Sequence, residues 1–90
     1  MSVKAKFFAN LRESVGKKEL EIEAENIKNL LEVLIEDNEG LEEILFNDEG
    51  ELQENLTIMV NGRPSNNMEG LDTELNDGDT VAIFPPVGGG

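Results

Sequence analysis

Ile27, Leu30, Leu31, Leu34 and Ile35 fall at i, i+3, i+4, i+7 and i+8, one apolar stripe of an amphipathic helix. A helix with a single such stripe must lay it on another layer of structure, and this requirement constrains the rest of the chain. Asn26 is placed to cap the helix N-terminus, and Gly40 marks its end. Leu41, Ile44, Leu45 and Phe46 suggest a short second helical piece beyond it.

The surface that receives the stripe is read from runs of period two. Val3, Ala5 and Phe7 share one face of a strand, and Lys4, Lys6 and Phe8 the other. The segment ANLRESVG interrupts with a helical turn closed by Gly16. Alternation resumes with Leu20, Ile22 and Ala24 inward and Glu19, Glu21 and Glu23 outward. A hairpin of these two runs puts Lys4 and Lys6 on the face of the glutamates, and each cross-strand pair of opposite charge contributes roughly 0.2–1 kcal/mol. Asn47 to Gly50 is a turn. Leu56, Ile58 and Val60 form a third strand, stopped by the tight-turn pair Asn61-Gly62. A loop-like stretch follows to Gly78, anchored by Leu71 and Leu75, with Asn76 to Asp79 as another turn. Asp79 to Phe84 is the last strand. The expected fold is a two-layer α+β domain over residues 1–84, a mixed sheet of about four to five strands packed on one main helix. Residues 85–90 form a flexible Pro-Pro/Gly tail.

Ninety residues support one core, which buries roughly 60–65% of the unfolded surface. Twenty acidic against seven basic residues leave a net charge of −13. Such a surface repels nucleic acid and anionic lipid and suits partners with basic docking surfaces. With no cysteine there is neither a disulfide framework nor a thiolate metal site. With no histidine, the commonest general base and nitrogen ligand are missing, and no serine has a base to activate it. NDEGE and DTELNDGD fail the spacing of a calcium loop. No run reaches the ~20 apolar residues of a membrane span, and MSVKAKFF lacks the core of a signal peptide. The expectation is a soluble cytoplasmic protein that binds no metal or cofactor itself and is not an enzyme.

Two features fall outside this account of a stable domain. Phe8, Met59, Ala82 and Phe84 all have outward parity, where polar residues are expected. If the first and last strands are central neighbours, the four form one apolar patch, of the kind that marks an interaction site. Burying it would contribute roughly 25 cal/mol per Å² before association costs. A loop folded over them, or a bulge that shifts parity, is the other reading.

The second feature is the end of the chain. Pro85 and Pro86 cannot continue a central strand and hold the backbone extended. Val87 follows, and then Gly88, Gly89 and Gly90, which have no Cβ and fit a channel that excludes side chains. Six residues reach about 20 Å when extended. The distinctive group at the tip is the Gly90 α-carboxylate, inert until attack on the α-phosphorus of ATP turns it into an acyl-adenylate. Frayed terminal glycines are the bland alternative.

VKAKFFANLRESVG, VNGRP and DGDTVAIFPPVGGG together resemble the MoaD/ThiS family, the ubiquitin-like β-grasp group that includes the small subunit of molybdopterin synthase and the small archaeal modifier proteins. The likeness runs essentially the whole chain, and FNDEGELQENLTIMVNGR is most similar to archaeal members. It implies parallel neighbouring first and last strands with the helix across one face. It implies that Gly89-Gly90 enters a ubiquitin-activating-type enzyme, which supplies ATP and magnesium and adenylates Gly90. The product becomes a thiocarboxylate for molybdopterin synthesis, tRNA or thiazole, or an isopeptide on a target lysine. The implied partners are that enzyme, the large subunit of molybdopterin synthase and lysines of target proteins. The family's partner-binding surface, the apolar sheet face beside the tail, matches Phe8, Met59 and Phe84. Gly88 departs from the small polar residue usual there, which loosens the tail and leaves the terminal pair intact. A non-covalent binding module with an idle tail is the competing reading.

Overall fold

The computed structural model describes residues 2–53, 56–65 and 68–85. The chain runs β1 (Ser2–Phe7), α1 (Asn10–Val15), β2 (Glu19–Glu23), α2 (Ile27–Asp37), α3 (Leu41–Leu45), β3 (Thr57–Val60), β4 (Arg63–Pro64), a 3-10 turn (Gly70–Asp72) and β5 (Thr80–Phe84). The sheet order is β2-β1-β5-β3-β4, with β1 and β5 parallel at its centre and every other pair antiparallel. The expected two-layer α+β architecture with a mixed sheet is what forms.

The alternating runs explain which face of the sheet is covered. Val3, Ala5, Phe7, Ile22, Ile58, Val60, Val81 and Ile83 are buried, and the α2 stripe closes on them through Ile27, Leu30, Leu31 and Leu34, each at most 1% exposed. Burying a side chain of this size contributes roughly 1.5–3 kcal/mol, so the stripe and its seat are the main source of stability. The β1–β2 register pairs Lys4 with Glu21 and Lys6 with Glu19. The ion pair that results is diagonal, Lys4 Nζ to Glu19 Oε2 at 3.3 Å.

The start of α2 is the one expected. Asn26 Oδ1 accepts from Asn29 N at 2.7 Å, and Asn29 Oδ1 accepts in return from Glu25 N at 3.1 Å, so two donors at the helix entrance are satisfied. Its end is not. The helix stops at Asp37 rather than at Gly40, because Asn38 turns extended and its Nδ2 donates to Leu34 O at 2.9 Å. That bond satisfies a carbonyl left open by the last turn. Gly40, at φ +85°, provides the left-handed step into α3 instead.

Among the described residues between β3 and β5, the loop-like reading misses β4 and the 3-10 turn at Gly70–Asp72. Asn61 and Gly62 both have positive φ, the geometry of a two-residue hairpin turn, so the chain doubles back as β4 before it leaves the sheet. Leu75 is buried and Leu71 packs against the core, as expected of anchors. Turn Asn76 to Asp79 also forms, and its Gly78 N donates to Ser2 O at 2.8 Å. No helix among the described residues is long and apolar enough to cross a membrane.

Candidate functional site

The site is built by register. Parallel pairing of β1 with β5 sets Lys6 beside Ala82 and Phe7 beside Ile83, which brings Phe8 next to Phe84. Antiparallel pairing then sets Met59 beside Ala82, and Pro64 beside Met59. Since directly paired residues point to the same face, Glu19, Lys6, Ala82, Met59 and Pro64 form one row across all five strands on the face away from α2. Phe8, Phe84 and Thr57 form the next row, one step nearer the end of β5.

The rings of Phe8 and Phe84 stack, with centroids 4.4 Å apart and planes 12° from parallel. Phe8, Met59, Pro64, Ala82 and Phe84 are all half-buried. The pairing from β1 through β4 is unbroken, so the parity holds and the apolar patch is real. Its flank on β1 and β2 is charged, through Lys4, Lys6, Glu19 and Glu21. The patch is therefore one-sided, apolar where β5, β3 and β4 meet.

Pro85 follows Phe84 directly and is buried, so this residue of the expected tail lies in the body of the domain. Pro86, Val87, Gly88, Gly89 and Gly90 lie outside the described residues. Of the expected site residues, then, Phe8, Met59 and Phe84 come together on one face, and Pro85, next in the chain after Phe84, is buried. Pro64 was missed. The signal for it is the Asn61-Gly62 pair, because a two-residue turn there places residue 64 opposite Met59.

Two depressions on the helix layer, one along the start of α2 near Glu23 and Asn29 and one between α2 and Phe46, are lined chiefly by polar residues and contain none of the patch residues. Among the described residues no three carboxylates are grouped so that they could hold a metal ion. The arrangement can bind an apolar surface through its outer face; among the described residues it offers no acid–base or nucleophilic constellation.

The ThiS family model matches residues 5–90. The chain is 36% identical over 92 residues to small archaeal modifier protein 3 of Haloferax volcanii, with all of both chains covered. It is 42% identical over 79 residues to a putative sulfur carrier protein of Archaeoglobus fulgidus, covering 86% of this chain and 90% of the relative. The solution structure of small archaeal modifier protein 1 from Methanosarcina acetivorans superposes with a TM-score of 0.87 at 37% identity, covering 99% of this chain and 96% of that one. With this likeness running along nearly its whole length, the chain belongs to the ThiS family of small ubiquitin-like β-grasp carrier and modifier proteins.

Proposed function

We propose that the Gly90 α-carboxylate is the reactive group of this carrier and that the outer sheet face docks the enzyme that activates it. A carboxylate oxygen attacks the α-phosphorus of ATP, pyrophosphate leaves, and an acyl-adenylate forms. A nucleophile then displaces AMP: sulfide sulfur gives a thiocarboxylate, and a lysine amine gives an isopeptide. ATP and magnesium are held by the activating enzyme. The sulfur passes to a molybdopterin precursor within a complex with the synthase large subunit, or to tRNA. The lysines belong to target proteins.

The observation that carries this reading is the Phe8–Phe84 stack on an apolar face at the end of the sheet from which the chain leaves β5. A partner seated there has the five residues after Pro85 within reach, since an extended chain of that length spans about 17 Å. The family match through residue 90 and the names of the relatives, one a modifier and one a sulfur carrier, support both fates of the activated end.

The test is incubation with the host's activating enzyme, ATP and sulfide, followed by intact mass. A terminal exchange of oxygen for sulfur is expected, and Gly-Gly remnants on lysines of other proteins from the native cell would reveal conjugation. Deleting Gly89 and Gly90 abolishes activation and leaves the fold unchanged; a truncated chain activated like the full one would overturn the proposal. Phe84→Asp keeps the fold but lowers kcat/KM for activation at least tenfold, because a carboxylate in a desolvated apolar contact is costly. If residues appended after Gly90 were harmless and only Phe8→Asp or Phe84→Asp mattered, the chain would be a non-covalent docking module instead.

A further inference from the structure

Asn61-Gly62 is the only Asn-Gly pair in the sequence. It lies exposed at the tip of the β3–β4 hairpin, with φ of +51° and +84°. The turn geometry accounts for the residue types. It does not account for what the Asn61 side chain does. Its Oδ1 accepts from Thr80 N at 2.9 Å, its Nδ2 donates to Asp79 Oδ1 at 3.0 Å, and its backbone N donates to Thr80 O at 2.8 Å. Asp79 is itself held, with Oδ2 accepting from Asn76 N at 2.8 Å and its carbonyl from Lys4 N at 2.9 Å. One partner of the amide only donates and the other only accepts, so chemistry dictates which way it points.

Asn-Gly is also the pair most open to deamidation, since glycine has no Cβ to obstruct ring closure onto the preceding side chain. We propose that Asn61 is a guarded deamidation site, protected while the hairpin is docked on β5 and converted when it opens. In the reaction the Gly62 backbone nitrogen loses its proton and forms a bond to Asn61 Cγ, and ammonia leaves. Water then opens the succinimide to aspartate or isoaspartate. In the folded chain both polar atoms of the amide are anchored to β5 and its preceding residue, and the loss of ammonia requires that the Nδ2 bond to Asp79 be given up. The conversion is also one-way in its structural effect. An aspartate at 61 no longer has a donor for Asp79 and sets two carboxylates about 3 Å apart, each disfavouring the other's charge. Molecules that have opened are thereby marked and reclose less well.

The full-length protein is held in mildly alkaline buffer, native or urea-unfolded, and residue 61 is followed by peptide mass and isoaspartate content. The native rate is expected to be at least about tenfold below the unfolded one, since reaction requires local opening. Asp79→Ala, confirmed folded by its spectrum, deamidates about tenfold faster than native wild type, the factor a hydrogen bond to a charged group supplies. Asn61→Asp has a lower urea midpoint at neutral pH that recovers as the pH falls through the carboxylate range, because protonating one partner relieves the repulsion. A native rate equal to the unfolded rate, or an Asn61→Asp chain as stable as wild type at neutral pH, would each overturn the proposal. Those two measurements decide it even if Asp79→Ala fails to fold.

Discussion

Ala9 has φ +53° and ψ −131°, a backbone region that L residues with a Cβ rarely occupy, and it stands between Phe8 and the first turn of α1. No side chain caps that turn. The strain is held by what flanks it: Leu11 is buried, Leu11 N and Arg12 N donate to Phe8 O and Ala9 O at 3.1 Å each, and Phe8 is pinned by its ring stack. Such conformations cost of order 1–3 kcal/mol and cluster where a fold presents a binding residue. Ala9→Gly should therefore raise stability by about 1 kcal/mol in urea unfolding, the relief of strain outweighing the extra freedom of glycine in the unfolded chain. An unchanged or lower midpoint would show that Ala9 sits there without cost. The sequence carried no sign of this strain, because Ala-Asn before a helical turn is compatible with ordinary geometry. Asn26 is the opposite case, legible because a cap acts through its own side chain within three residues.

At the scale of elements, the period of the apolar residues and the ends of the elements were legible to different degrees. The α2 stripe and the alternation of β1, β2, β3 and β5 are local patterns, and each matches the buried face that forms. The end of α2 was misplaced by three residues because two candidate stops compete, and a side-chain bond from Asn38 wins before Gly40 is reached. The two-residue β4 is too short for any period and exists because the Asn61-Gly62 turn returns the chain alongside β3. The packing of α2 makes a definite prediction. Leu30→Ala, at a side chain fully buried between helix and sheet, should cost about 2–5 kcal/mol through lost burial and the cavity left behind. Urea unfolding would measure it, and a loss below 1 kcal/mol would mean that the seat of the helix collapses around the gap. Deleting the exposed Lys4–Glu19 pair should cost far less, at most about 1 kcal/mol.

For the whole molecule, net charge acts against compactness. Thirteen excess negative charges on a 90-residue chain repel one another, and raising the salt from 0.01 to 1 M shortens the screening length from about 30 to 3 Å. The thermal midpoint should rise with sodium chloride, because screening removes more repulsion than it weakens attraction at exposed ion pairs. A midpoint that falls over that range would mean that ion pairs outweigh the excess charge. What the amino-acid order determined unaided was of short range: the helix stripe and its N-cap, the alternating strands, the Asn61-Gly62 turn, and the parity of Phe8, Met59, Ala82 and Phe84. A periodic pattern reports which side of an element is buried, since that depends only on neighbours along the chain. Which strands lie together is a matter of tertiary structure. The parallel pairing of β1 with β5, nearly the full length of the chain apart, stacked Phe8 on Phe84, and the antiparallel pairing of β3 with β5 added Met59, so that outward residues from three separate segments became one patch. The antiparallel pairing of β3 with β5 delivered Thr80 and Asp79 to Asn61, because residues 18 and 19 positions apart come within hydrogen-bonding reach only once those strands lie side by side.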